Sequence, residues 1–568
     1  MTKRAFVLAV ILSLGGGTLL RTLWLRADPP VGRDGVDIVW HDEGAWVHNA
    51  RNRALWGAWR TDNWNPVFIA PVFTALEYAS FEAFGVGTWQ ARAVPVASGL
   101  VAIAFLMIGL HALAGRRAAA IGGVLLATNY VFVMWNRAAL MESTMTAFMV
   151  VAWACYSRAG RHPAWAAAAG AAAVLAFFTK AAAAFFIGAI GLDALGMLVL
   201  GWNDRTWRRA GSWALAGLAA AAIVVLALFV LPEWSEYSFY NWQMTVVRKP
   251  SYAIGDFINR ISYLPLGHGL FTRVWLALAC ASVAIAGIIA RGREAKPGER
   301  LLVLWFVVGL VELIVHDSGN GRRYVMFVPA LIALTAVLLA SDRPVLPIGT
   351  AAIPLRLRLL VTPLLLLLGF VAIGALIRPL FVDGLALPGG YKMPVRLAAA
   401  GSVALTALLL VRWAAITGRL SRTAPPVWLT GVIVAMAIWW NGMSFSQWAT
   451  HRTDVNYEAS IAVGRSLAAG TLVQGKLANG LSLENRIRPL FVGNGFGNYA
   501  DRFDRDDARY ILTYDLPTLG YESSDGSGLI KEILDHYPKR AIVATFGVDE
   551  TPGEDRAVLV DKFAHARD

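Results

Sequence analysis

Cysteine is almost missing from this chain. Only Cys155 and Cys280 occur in 568 residues, each inside an apolar segment, so neither a disulfide framework nor a thiolate metal site can be built. Charge is scarce too: Asp, Glu, Lys and Arg make up 16% of the residues, against about 25% in an average soluble domain. Histidine is sparse, and His41, His48, His268 and His316 show no His-x-x-x-His or paired-acid spacing of a helix-borne metal site. Internal repeats are lacking, and the Ala-rich run 164–185 reads as closely packed membrane helix. What abounds is apolar surface, with 57% hydrophobic residues and a mean hydropathy of +0.53. An integral membrane protein is the class these figures define. The net charge of +13 does not indicate nucleic acid, because the basic residues are dealt out between apolar runs instead of gathered on one face.

Apolar runs long enough for roughly 30 Å of hydrocarbon fall near 5–25, 92–114, 118–135, 140–157, 163–179, 181–200, 210–231, 272–290, 301–316, 324–341, 357–378, 396–415 and 427–443, about thirteen spans. With the N-terminus in the cytoplasm, every inside loop carries Lys or Arg: Lys3 and Arg4, Arg116 and Arg117, Arg158 and Arg161, Arg205 to Arg209, Arg291 to Arg300, Arg356 and Arg358, Arg412 to Arg422. The first span is followed by Leu-Trp-Leu-Arg, not a small-residue cleavage site, and is expected to be an uncleaved anchor. This orientation puts loops 28–91 and 232–271 outside, together with the tail. The domain division is therefore a membrane body over 1–443 and an extracytoplasmic α/β domain over 444–568. In that domain "TLVQGKL", "RPLFVGN", "ARYILTY" and "RAIVATF" read as strands, and "NYEASIAVGRSLAAG" and "GLIKEILDHYP" as helices. The "GNGFGN" run at 493–498 lacks the last glycine of a dinucleotide turn and reads as a Gly-rich loop.

The chemistry concentrates in "HDEGAWVHNARN". Asp42 and Glu43 open a short helix whose Trp46, Val47, Ala50 and Ala54 fall on one arc, suited to lying flat at the interface. The plain alternative is that the two acids cap the helix and complement its dipole. Their company favours chemistry. Arg92, Arg137 with Glu142, Lys180, Arg248 with Lys249, and Arg322 with Arg323 all fall on the outer side at or near membrane depth, where an unpaired charge is expensive. For Arg248 and Lys249 snorkelling to the headgroups is the better reading. Cations beside one or two carboxylates suit an anionic, lipid-borne phosphate, gripped by Arg forks and a Lys point charge. The carboxylate then serves to take a proton from an acceptor hydroxyl.

The ordered set "HDEGAWVHNARN", "GTWQARAVPVASGL", "NRAALMESTMTAFMV", "FFTKAAAAFF" and "RRYVMFVPALIAL", across roughly the first 340 residues, resembles the polytopic GT-C glycosyltransferases that include lipid A aminoarabinose transferase and the protein O-mannosyltransferases. The resemblance implies a mainly α fold, a polytopic membrane bundle with a C-terminal extracytoplasmic α/β domain. It also implies an inverting transfer of a sugar from a polyprenyl-phosphate donor to a lipid, glycan or protein acceptor on the outer face. By that resemblance Asp42 is the general base and Glu43 positions the acceptor or a supporting group. Arg137 and Lys180 stabilise the leaving phosphate, with Arg322, Arg323 and Arg92 as further phosphate ligands. Glu142, where the family usually has Asp, makes a polar or metal contact. The reading requires no cofactor and leaves room for a divalent metal at the phosphate. Membrane lipids are partners, nucleic acid is not, and a bacterial inner membrane is the expected setting. Two other classes compete: a transporter or flippase of a lipid-linked saccharide, which calls for inverted repeats and broken helices, and a membrane scaffold indifferent to Asp42.

Overall fold

A computed structural model of the chain describes residues 1–30, 36, 38–200, 204–247, 273–316, 321–342, parts of 362–377, 392–412, 424–515, 529–549 and 555–564. Arg248, Lys249 and His268 lie outside the described residues, as does most of the loop expected over 232–271.

The described chain is mostly helix: α1 (Lys3–Thr22), α2 (Asp42–Trp46), α3 (His48–Trp56), α4 (Pro71–Phe84), α5 (Thr88–Thr128), α6 (Tyr130–Trp135), α7 (Met141–Tyr156), α8 (Pro163–Thr179), α9 (Ala184–Leu200), α10 (Arg205–Val225), α11 (Trp234–Trp242), α12 (Trp275–Arg291), α13 (Pro297–His316), α14 (Val328–Ala340), α15 (Lys392–Val411) and α16 (Val427–His451). Among the described residues six helices are long and apolar enough to cross a membrane: Lys3–Thr22, Thr88–Thr128, Ala181–Val199, Arg205–Val230, Gly321–Ala340 and Val427–Ser466. Shorter apolar helices stand at Pro163–Thr179, Trp275–Ile289 and Arg396–Leu408. Helix α5 is two helices joined at Gly115, whose φ of 85° is not helical, so the break falls between the runs read as 92–114 and 118–135. This unit ends at Asn129, whose side chain accepts from Phe132 N and starts α6.

Small residues set the closest packing. Helices α8 and α10 meet backbone to backbone at Gly170 and Gly217, the approach that van der Waals packing in lipid rewards. The core of the bundle is centred on Trp135, Trp153 and Trp305, fully buried, each donating its indole N–H to a carbonyl, of Val36, Gly298 and Met326 at 2.9, 2.9 and 3.1 Å.

Helix α16 runs on to His451, past the boundary expected at 443. There follow α17 (Val455–Ser466), α18 (Lys476–Gly480) and α19 (Leu529–His536) with strands β1 (Leu472–Gln474), β2 (Arg488–Leu490), β3 (Val492–Gly493), β4 (Phe496–Gly497), β5 (Tyr510–Tyr514), β6 (Ala541–Gly547) and β7 (Arg556–Asp561). The main sheet has the order β2-β1-β5-β7-β6, parallel between β1 and both β2 and β5 and antiparallel beyond β5. The "GNGFGN" run is the turn of the small β3–β4 hairpin. Strand β7, a short Ala-Val-Leu-Val run, was not among the expected strands.

Helices α2 and α3 are not laid on a membrane interface. Val47 and Ala50 are fully buried against Phe73, Phe81 and Leu483, and Trp40 enters the core beneath the sheet with Val473 and Leu512. The segment is filled in on both sides, by the bundle below and the sheet region above. Arg51 of α3, fully buried, donates to the carbonyls of Ser482, Asn485 and Ile487 at 2.9 to 3.1 Å and ties the two together.

A second tie is Asp28. Its N–H donates to Thr453 O at 2.8 Å, its carbonyl accepts from Trp448 Nε1 at 3.1 Å, and Thr453 Oγ1 lies 2.8 Å from Asp28 Oδ2 and 2.6 Å from Asp549 Oδ2. One hydroxyl proton cannot serve two carboxylates. The chain of bonds closes when Asp28 carries a proton of its own, and burial, reinforced by Asp549 and opposed by Thr453, Arg92 and Asn456, pushes its carboxyl up to about 6. A carboxyl raised above its unfolded value stabilises the fold at low pH, and that stability is lost as pH rises through about 6. The difference is about 3 kcal/mol at about 1.4 kcal/mol per unit. Asp28→Asn, uncharged throughout, is therefore expected to unfold at a higher temperature than the parent at pH 7.5 and at a similar one at pH 4.5. A thermal-melt series in detergent over that range checks it.

Candidate active site

Asp42 and Glu43 stand in the first turn of α2, but neither side chain caps it. Successive residues on a helix point about 100° apart, and here the two carboxylates go to different partners.

Glu43 turns into the bundle. Arg92, near the start of α5, grips it with two bonds, Nε to Oε1 at 2.8 Å and Nη2 to Oε2 at 2.7 Å, and Ala139 N donates to Oε1 at 2.6 Å. Arg92 also donates to the carbonyls of Leu25 and Ala27. Both residues are buried, 3% exposed each. Expected as a phosphate ligand, Arg92 has its guanidinium spent on Glu43 and on the chain leaving α1. Near them Glu77, between Phe73 and Phe81 on one face of α4, is fully buried with no hydrogen-bond partner on either carboxylate oxygen. Burial first, and then Glu43, push its carboxyl well above the usual range.

Arg137 is also drawn elsewhere. It donates to the carbonyls of Leu20, Arg21 and Trp24 and lies 4.6 Å over the Trp448 ring, so it caps the end of α1, whose last carbonyls have no helical partners. The structure thus places the Nη groups of Arg137 on the carbonyls that follow α1, and its expected place beside Lys180 is not among its contacts here.

Asp42 turns the other way, to a cluster of cations. Arg322 Nη1 pairs with Oδ2, Lys476 Nζ lies 3.2 Å from Oδ1 and His41 Nε2 3.6 Å from it, while His41 Nδ1 is 3.1 Å from the Tyr514 hydroxyl. Burial alone would raise the Asp42 carboxyl, but Arg322, Lys476 and His41 together hold it well below the usual carboxylate range. Close by, Lys180 at the end of α8 forms an ion pair with Glu142 of α7, and Arg322 and Arg323 act on it electrostatically. Arg323 is paired with Glu312. Asp42, Arg322, Lys180 and Glu142 thus share one region, with Arg322, Lys180 and Lys476 about a fifth exposed and Asp42 nearly buried. Among the described residues no group of three or more His, Cys, Asp or Glu converges as a metal would need.

Lys476 was missed in the sequence because it comes from the far end of the chain. The local signal was "QGKL" after a strand: Gly475, at φ 118°, has no room for a Cβ, which would meet Leu512 O at 2.5 Å, and this turn delivers Lys476 at the start of α18. Gly44 permits the contact from below, since a Cβ there would sit 1.8 Å from Asn479 O.

A helical membrane bundle whose connecting segments gather a buried carboxylate and several cations at one end, under a small α/β sheet, is the GT-C fold. A family model described as dolichyl-phosphate-mannose-protein mannosyltransferase matches residues 69–230. The structure is similar to that of ArnT from Cupriavidus metallidurans in the apo state, with a TM-score of 0.60 and 18% identity over 98% of each chain. It is also similar to the same protein bound to undecaprenyl phosphate, with a TM-score of 0.53 and 19% identity over 100% of this chain and 99% of that one. An oligosaccharyltransferase from Archaeoglobus fulgidus aligns at a TM-score of 0.41 and 13% identity, over 90% of this chain and 70% of that one. No curated protein matches the chain by sequence.

The two carboxylates should respond differently to loss of their partners. Removing Arg92 leaves Glu43 charged and buried, so Arg92→Ala is expected to destabilise the fold by about 3–5 kcal/mol, seen as a lowered melting temperature and poor recovery from membranes. Lys476→Met should lower the melting temperature less than Arg92→Ala does, because Asp42 keeps Arg322 and His41. Because it removes a cation that holds Asp42 ionised, its transferase rate should fall off at higher pH on the acid side, read from the pH profile of kcat/KM.

Proposed function

We propose that this protein is an inverting glycosyltransferase that moves a sugar from a polyprenyl-phosphate donor to an acceptor hydroxyl on the outer face of the membrane. The observation that carries this reading is Asp42, a buried carboxylate kept ionised by Arg322 and Lys476 beside the Lys180–Glu142 pair. The similarity in fold to a protein bound to undecaprenyl phosphate supports the choice of donor.

A phosphate entering this region meets Arg322 and Lys180 and competes with Asp42 and Glu142 for them. Drawing Arg322 to the phosphate does two things. The cations come to lie where negative charge grows as the bond from phosphate oxygen to the anomeric carbon breaks, so they act in the transition state more than in the ground state. Asp42 loses part of the field that depresses its basicity, while its burial still favours the protonated form, so it becomes a better acceptor for a proton. The acceptor hydroxyl passes its proton to Asp42 as its oxygen attacks the anomeric carbon from the face opposite the phosphate. The electron pair of the broken bond leaves on the phosphate, and configuration inverts. Glu43, locked by Arg92, fixes the turn that aims Asp42.

In this reading residues 1–443 are the catalytic membrane body and 444–568 an extracytoplasmic domain that completes the site through Lys476 and Tyr514. The setting is a bacterial inner membrane, with membrane lipids around the body and a lipid, glycan or protein as acceptor.

Membranes holding the Asp42→Asn variant, given a polyprenyl-phosphate sugar, are expected to transfer sugar about 10²–10⁴-fold more slowly than the parent, the range for loss of a general base, with donor binding retained. Transfer at the parental rate by the folded variant would remove Asp42 from the mechanism.

A further inference from the structure

The helices alternate in direction, so the ends of α9, α12 and α14 and the starts of α10, α13 and α16 gather at the end of the bundle remote from Asp42. Contacts there confirm the grouping: Lys296 Nζ donates to Leu113 O at 2.6 Å and Thr430 Oγ1 to Leu339 O at 3.1 Å. Two cavities open at this end.

The larger cavity, about 540 Å³, has Arg300 in its wall. That guanidinium is neutralised internally: Asp193 takes it with two bonds at 2.6 and 3.1 Å, Ala295 O accepts a third at 2.7 Å, and the Trp207 ring lies beneath it at 4.7 Å. The smaller cavity, about 460 Å³, is lined by Leu198, Arg205, Arg208, Arg209, Ser212 and Trp213. Spacing i, i+3, i+4 sets its three guanidinium groups on one side of α10. Asp204, the neighbouring carboxylate, accepts through Oδ1 from the N–H groups of Thr206 and Trp207 at 2.8 and 3.3 Å. Among the described residues Arg205 and Arg209 have no ion-pair or hydrogen-bond partner. Directly along the bundle from this pocket the surface is apolar and exposed: Leu195 is 51% exposed, Val199 72% and Trp213 49%.

We infer that the Arg205–Arg208–Arg209 cavity is a binding site for the headgroup phosphate of an anionic phospholipid, whose acyl chain lies along Leu195, Val199 and Trp213. Three forked cations in one concavity match the oxygens of a phosphodiester. The adjoining apolar strip selects a phosphate that carries a hydrocarbon tail over one free in water, and basic pockets between membrane helices are suited to such headgroups. The site is separate from the one that holds Asp42, and the inference stands whether or not the catalytic reading does.

The test uses the full-length protein in detergent. Phosphatidylglycerol is expected to raise the melting temperature and to remain bound in native mass spectra, whereas phosphatidylcholine at equal concentration does neither. The Arg205→Gln, Arg208→Gln, Arg209→Gln triple variant should lose at least tenfold in apparent affinity for phosphatidylglycerol. Arg209→Gln alone, at an exposed position that leaves the helix intact, should show a partial loss. Equal binding of the two lipids, an unchanged preference in the variants, or the same stabilisation by inorganic phosphate would each overturn the assignment.

Discussion

Everything at the active end of this molecule follows from the cost of holding charge away from water. A carboxylate in a low-dielectric interior survives as an anion only if cations or N–H groups stand where water stood. Glu43 meets that condition through Arg92 and Ala139 N, and Asp42 through Arg322, Lys476 and His41. The two acids, adjacent in sequence, thereby acquire different natures. One is closed in by a guanidinium fork that is itself saturated. The other is held by cations that are partly exposed and so can be shared with an incoming anion.

The same constraint joins the parts of the fold. The described residues of the sheet region sit on the bundle through buried polar contacts, Arg51 on three carbonyls and Asp28 on Thr453, with Trp40 inserted beneath the strands. Because Lys476 and Tyr514 belong to that region, any motion of the sheet relative to the bundle changes the field at Asp42 and the hydrogen bond of His41. The α/β region is therefore electrostatically part of the site and more than a cover over it.

Much of the fold was legible because lipid and water sort residues so strongly. Where the apolar runs are described they are helical, six of the helices long enough to cross a membrane, and the alternating segments of the tail became β1, β2, β5 and β6. Gly115, with its positive φ, marks the break between two expected spans, whereas α16 departs from expectation by running on to His451, past the boundary read at 443. The arc Trp46, Val47, Ala50 has the pattern of an interfacial helix, but an apolar stripe looks the same whether lipid or protein covers it, and here Phe73, Phe81 and Leu483 do.

At the site the division is sharper. Residue types and their order along the chain singled out Asp42, Glu43, Arg92, Arg137, Glu142, Lys180, Arg322 and Arg323 as charges too costly to be idle near a membrane. They could not say which charges pair, since a guanidinium reaches several ångströms and takes whichever acceptors the fold brings near. Only the tertiary structure assigned Arg92 to Glu43 and Arg137 to the end of α1, and only it brought Lys476 across more than four hundred positions to Asp42. Hydrophobicity is a property each residue carries with it, so the sequence alone determined the membrane bundle. Partnership between charges is a property of distances, and these exist only once the helices and the sheet have packed.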